Sequence, residues 1–163
     1  MGGGEADDNA RMLIRTIRLS FDGSGRSRRT EVVYWYIATA LVGTTFTFAA
    51  TTALPWKAGL VVSDLLQAIL FIPGFALFAR RLHDQDRSGW WALLLLLPIA
   101  LSLPDHIRML ALEPADWLAA ERQPDATIWA AMLAGLIILV LLLLPGTVGP
   151  NRFGDDPRQA AAD

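Results

Sequence analysis

Long runs of apolar positions dominate the chain. An α-helix rises about 1.5 Å per residue and the hydrocarbon core of a bilayer is about 30 Å thick, so a span requires roughly 20 apolar residues. Val32 to Ala53 meets that length without a charge and opens on Tyr34, Trp35 and Tyr36. Ala126 to Pro145 meets it too, through the dense run from Leu136 to Leu144. Ala58 to Ala79 is long enough, with Asp64 and Gln67 in its first half and Pro73-Gly74 in its second; a kink near Pro73 is expected. Trp90 to Leu103 offers only about 21 Å of helix and contains Pro98. Crossing there relies on the Trp90-Trp91 pair as an interfacial anchor or on local bilayer thinning; the competing reading is a re-entrant segment shielded by protein. The pattern predicts an all-α polytopic transmembrane helical bundle. Four spans near 32–53, 58–79, 88–104 and 126–145 are expected, with three as the alternative.

Outside the spans, Asn9 to Phe21 has helical period. Arg11, Arg15 and Arg18 share one face while Leu13, Ile14, Ile17 and Phe21 gather opposite, which predicts an amphipathic basic helix within a cytoplasmic segment 9–31. Two placements need the same pattern: a helix on the cytoplasmic leaflet with its arginines toward anionic headgroups, or a helix docked on the bundle. Asp105 to Asp125 reads as an acidic loop, with Leu110, Leu112, Trp117 and Leu118 able to rest on the outer interface. Residues 1–8 and 158–163 are expected to be disordered.

Composition agrees with a membrane protein. The 163 residues are 53% hydrophobic and 18% charged, where soluble domains carry about a quarter charged; mean hydropathy is +0.38. A net charge of −2 supplies no basic field for nucleic acid. With no cysteine, disulfides, thiolate nucleophiles and cysteine-ligated metals are excluded. Positive residues fix orientation. The N-terminal region (Arg11, Arg15, Arg18, Arg26, Arg28, Arg29), the loop with Arg80, Arg81 and Arg87, and the tail with Arg152 and Arg158 hold eleven, against Lys57, Arg108 and Arg122 in the alternate loops. Both termini are therefore expected in the cytoplasm. No cleavable signal peptide is expected, because Met1 to Asn9 is Gly-rich and acidic. Ala6 breaks a myristoylation motif.

Chemistry concentrates in Arg80-Arg81-Leu82-His83-Asp84-Gln85-Asp86-Arg87-Ser88-Gly89, just before the Trp pair. On a continuing helix Asp84 reaches Arg80 or Arg81, as surface pairs worth roughly 0–1 kcal/mol. Two readings compete: a charged turn that fixes topology, or a phosphate site built from the arginines, His83 and the backbone N–H groups at Ser88-Gly89. His83 cannot share a metal with His106 if the loops lie on opposite sides of the membrane. Asp64, the one carboxylate inside a span, with Gln67, forms a candidate intramembrane polar site, with Thr44, Thr45 or Thr47 as hydrogen-bond partners. No G-x-S-x-G, H-E-x-x-H or P-loop motif is present. No enzymatic activity, cofactor or metal is expected.

Three stretches together resemble a known family. They are Phe21 through Trp35 with Gly25-Arg26-Ser27-Arg28-Arg29 and Tyr34-Trp35; Arg80-Arg81-Leu82-His83-Asp84 with Arg87-Ser88-Gly89-Trp90-Trp91; and Pro145-Gly146-Thr147 with Gly149, Asn151-Arg152-Phe153-Gly154 and Asp156-Pro157. Their order is similar to the small bacterial inner-membrane family called domain of unknown function 805. Ser24 and Val32-Val33 stretch the first motif, and roughly residues 100–127 interrupt the run from the Trp pair to the tail. The resemblance implies the bacterial inner membrane and brings no activity, substrate or catalytic residue.

Four spans would put the three motifs on one side. Arg26, Arg28, Arg29, Arg80, Arg81, His83, Asp84, Arg87, Asn151, Arg152 and Asp156 are then expected to form a polar cytoplasmic cap, with Asp155 and Asp156 meeting arginines. The cap would either brace the bundle or present a site for an anionic headgroup or a protein partner. The sequence thus points to a membrane interaction or lipid-headgroup-contact module, alone or as a homo-oligomer. The alternative is a small transporter or channel component using Asp64.

Overall fold

A computed structural model of the chain describes residues 3–116 and 126–159. Helix α1 (Gly3–Arg18) is followed by α2 (Arg29–Ala53) and α3 (Trp56–Asp84). A 3₁₀ segment, Gly89–Leu95, then leads into α4 (Leu96–Ala111), a short 3₁₀ turn (Pro114–Asp116) and α5 (Ala126–Leu143). The described residues form no strand, only one isolated bridge between Asn151 and Gly154. Among the described residues four helices are long and apolar enough to cross a membrane: Arg29–Ala53, Trp56–Asp84, Gly89–Ala111 and Ala126–Leu143.

The chain divides into two units, Met1–Ala92 with Leu142–Asp163, and Leu93–Leu141. In the first, α2 and α3 form an antiparallel hairpin joined at Leu54 and Pro55. Glycines set its register at three levels. A Cβ on Gly59 would lie 2.7 Å from Ala50 O and from Thr51 Cα, one on Gly43 would lie 2.7 Å from Gln67 Nε2, and one on Gly74 would lie 3.0 Å from Trp35 Nε1. Small residues let the two backbones approach, which is how helices pack when lipid gives no hydrophobic drive for association. At the hairpin's open end Val32, Trp35 and Leu77 form a buried core, against which Leu13, Tyr36 and Leu142 pack. Through Leu13, α1 docks on that core.

Several boundaries differ from the expected ones. Helix α1 begins at Gly3, inside the stretch expected to be disordered. Helix α3 begins at Trp56 and continues past Ala79 to Asp84, with Pro73 inside it. In the second unit the helical stretch from Gly89 continues to Ala111, past the expected end at residue 104. Pro98 falls in the first turn of α4, directly after the 3₁₀ segment, and Pro104 lies inside the helix. Asp105 to Ala111 is consequently helix, not loop. Trp117, Leu118 and the rest of residues 117–125 lie outside the described residues, as do residues 160–163.

Candidate functional site

The polar cap assembles where the chain needs partners for helix-end carbonyls. The last four carbonyls of a helix have no partner within it. At the end of α5, Arg81 donates Nε–H to Leu142 O at 3.0 Å and Nη2–H to Leu144 O, and Arg29 reaches Leu143 O at 3.4 Å. A guanidinium there also lies at the negative end of the helix dipole. Arg80 plays the same part just beyond α1, donating Nη1–H to Leu19 O at 3.0 Å and to Asp22 O at 2.7 Å.

Asp84 is the centre. Its Oδ1 accepts from Arg26 Nε at 3.0 Å and Nη2 at 2.9 Å, and its Oδ2 accepts from Arg81 Nη1 at 2.5 Å. Arg26 and Asp84 are each 4% exposed, Arg80 and Arg81 each 1%. The expected surface pair at Arg81–Asp84 is therefore a buried one, because the tail folds over it. Gly146 sits so close that a Cβ would lie 1.8 Å from Asp84 Oδ2. Next in sequence, Thr147 donates N–H and Oγ1–H to Asp84 O at 2.8 and 3.1 Å.

Arg26 spends its remaining donors on the tail: Gly149 O at 2.7 Å, Gly154 O at 3.2 Å and Thr147 O at 2.7 Å. Arg28 Nε donates to Pro157 O at 2.7 Å. Asn151 Nδ2 bridges His83 O and Thr147 Oγ1, both at 2.9 Å. The His83 ring stacks on Phe153 with centroids 3.9 Å apart, its Nδ1 lying 3.1 Å from Gly25 O. Arg152 covers the Phe153 ring at 4.7 Å and pairs with exposed Asp86 at 3.1 Å.

Of the expected cap residues, Arg26, Arg28, Arg81, His83, Asp84, Asn151 and Arg152 thus meet around the tail, Arg29 reaches the end of α5, and Arg80 is turned instead to the linker after α1. Asp156 is buried and accepts from Gly149 N–H at 3.0 Å and from Arg158 Nη2 at 2.7 Å. Hydrogen bonds from the Arg158 side chain hold its carboxyl well below the usual carboxylate range. Arg158, placed by the sequence in a disordered end, is instead fixed by Asp156 and Thr147 O. Arg87 is exposed and gives its backbone N–H to Leu82 O. Asp155 is exposed too.

Sequence reasoning missed Glu31. It is 2% exposed and accepts from Thr16 Oγ1 and Arg15 Nη1, each at 3.2 Å, tying α1 to the start of α2. A carboxylate at the mouth of an apolar run preceded by basic residues was the available signal. At the other polar position, Gln67 lies across Gly43 and Asp64 is half-buried one turn before it on α3. Among the described residues no group of three or more His, Cys, Asp or Glu is placed to hold a metal.

Comparison with known proteins gives a consistent result. The family model for "Protein of unknown function (DUF805)" matches residues 20–155. Inner membrane protein YhaH of Escherichia coli K12 is 34% identical over 140 residues, covering 82% of this chain and 85% of its own. Inner membrane protein YhaI of the same organism is 31% identical over 138 residues, covering 83% and 85%. No solved structure matches the chain.

Proposed function

We propose a function from one premise: the chain belongs to the DUF805 family of inner-membrane proteins. Within it, this protein acts as a non-enzymatic lipid-contact module whose working surface is α1. The carrying observation is the division of that helix into faces. Leu13 and Thr16 face the body, while Ile14, Ile17 and Phe21 stand exposed as an apolar stripe continuing into the linker. Arg11, Arg15 and Arg18 flank that stripe at the spacing by which basic side chains reach headgroups from an interfacial helix. Docking on the protein and lying on the leaflet are therefore compatible.

The buried arginines support a bracing role instead. Arg26 and Arg81 direct all their nitrogens at Asp84 and backbone carbonyls, so headgroup contact falls to the exposed cations of α1. Gln67 across Gly43 serves helix packing, and no specific observation favours a transport path. The cap also supports four crossings. Residues 26–28, 80–84 and 142–157 are bonded together, so segment 93–141 leaves and returns on one side; retention of positive charge makes that side the cytoplasm.

A single-cysteine variant at Phe21, made easily because the chain has no cysteine, carries a spin label into nanodiscs containing phosphatidylglycerol. The expected label lies in the acyl region, and replacing Arg11, Arg15 and Arg18 by Gln weakens its insertion. A label in the aqueous phase would overturn the reading. Reporter fusions after Asp116 and after Pro157 check the crossings: opposite sides are expected.

A further inference from the structure

Beneath the linker that follows α1 lies a groove of about 330 Å³, lined by Ser20, Phe21 and Gly23 on one side and by α3 on the other. Its α3 wall is one helical face: Phe71, Ile72, Phe75, Ala76 and Ala79. The groove is preformed. Arg80, one residue beyond that wall, holds the linker down through the carbonyls of Leu19 and Asp22, and a Cβ on Gly23 would stand 3.5 Å from that of Ala79.

We propose that this groove binds one acyl chain of an anionic phospholipid from the leaflet on which α1 rests, an inference that deepens the reading of α1 given above and rests on it. Three observations name the occupant. The wall belongs to a helix long and apolar enough to span a bilayer, and the residues lining the groove are almost all apolar, so a lipid tail matches it. The groove continues the exposed stripe of Ile14, Ile17 and Phe21, which leads a chain from the leaflet into it. Exposed Arg18 occupies the last turn of α1 just before the groove's rim, where a phosphate on the same lipid finds opposite charge; Arg15, whose Nη1 is bonded to Glu31, stands one turn earlier. The exposed carboxylate of Asp22, fixed by the Ser24 N–H at 2.8 Å, sits on the rim and orients the headgroup toward the arginines by repulsion.

Photolabelling tests this. Protein in nanodiscs is irradiated with phosphatidylglycerol bearing a diazirine on its acyl chain, and the labelled peptides are mapped. Labelling of Phe71–Ala79 and Ser20–Gly23 is expected to exceed that of the lipid-facing stretch Leu41–Phe48 several-fold, and to exceed labelling by the matching phosphatidylcholine probe. Ile72→Trp fills the groove from its exposed edge and is expected to lower labelling there several-fold, while Ile72→Ala leaves it intact. Uniform labelling unaffected by Ile72→Trp means ordinary annular lipid and overturns the groove; equal labelling by both probes overturns its anionic preference. The spin label at position 21 separates the two readings. Inserted label with uniform photolabelling sinks the groove alone, whereas label in water sinks the reading of α1.

Discussion

Replacing Asp84 by Asn tests the centre of the cap. Asparagine keeps the volume and one carbonyl oxygen, so Arg26 retains a neutral acceptor. The new amide turns N–H groups toward Arg81 Nη1, which now stands 2.5 Å from an oxygen. Both guanidinium groups are nearly inaccessible to water, so the change leaves two buried cations without a counter-charge. Breaking one partner of a buried pair typically costs about 3–5 kcal/mol, a large share of the roughly 5–15 kcal/mol that holds a domain together. The matched control is Asp86→Asn. Asp86 pairs with Arg152 on the surface, with both side chains about half exposed, and its left-handed backbone at φ 57° is one that asparagine also accepts. That loss is expected to stay within about 1 kcal/mol. Unfolding in mixed micelles of increasing denaturing-detergent content, followed by tryptophan fluorescence, reads both. The Asp84 effect is also expected to persist in high salt, since burial removes the pair from screening. A loss at Asp84→Asn no larger than at Asp86→Asn would refute the idea that the cap is held by one buried carboxylate.

Gly146→Ala is expected to reproduce most of the Asp84→Asn defect in the same assay, because its Cβ would occupy the space of Asp84 Oδ2. Gly59→Ala, which drives a methyl into the backbone of Ala50 and Thr51, is expected to lose about 1–3 kcal/mol by overpacking. Gly135→Ala on α5, where a Cβ meets nothing within 4 Å, is expected to be neutral or to gain up to about 1 kcal/mol of helix propensity. Asp156 gives a pH dependence. Its folded carboxyl is depressed by Arg158, so its contribution is fully present above the unfolded value near 3.9 and fades as pH falls through the folded one. A fluorophore on a cysteine introduced at Gln159 is expected to stay immobile at pH 5 and gain mobility only in strongly acidic buffer; Asp156→Asn is expected to free it at pH 5.

What the chain disclosed in advance follows from the range of each interaction. Spans depend on composition over some 20 neighbours, so α2, α3 and α5 are legible as elements, while their ends shift by up to five residues, most at α3, which continues to Asp84. The stretch from Gly89 runs past its expected end at residue 104 because α4 carries Pro104 inside it and continues to Ala111, a tolerance that the apolar run alone does not report. The Arg81–Asp84 contact was legible as a three-residue spacing; its burial was not, since the tail that covers it lies some 60 residues away. Gly146 reads as turn chemistry after Pro145, whereas its indispensability comes from a carboxylate on another helix. Glu31 and Thr16 meet across the α1–α2 linker, and no periodicity reports such a meeting.

The cap explains why this end of the protein is rich in arginine rather than merely in positive charge. Retention in the cytoplasm needs any cation, and lysine satisfies that rule as well. The structure asks for more. Arg26 makes five hydrogen bonds, to one carboxylate and three separate tail carbonyls, and Arg81 divides its nitrogens between Asp84 and two carbonyls at the end of α5. A planar fork of five donors can serve such scattered acceptors at once; an ammonium with three donors on a flexible stem cannot. The arginines to which the positive-inside rule assigns the sorting of the chain are thereby also the groups that close its helix ends, and the four crossings proposed above are the arrangement in which their own acceptors come within reach.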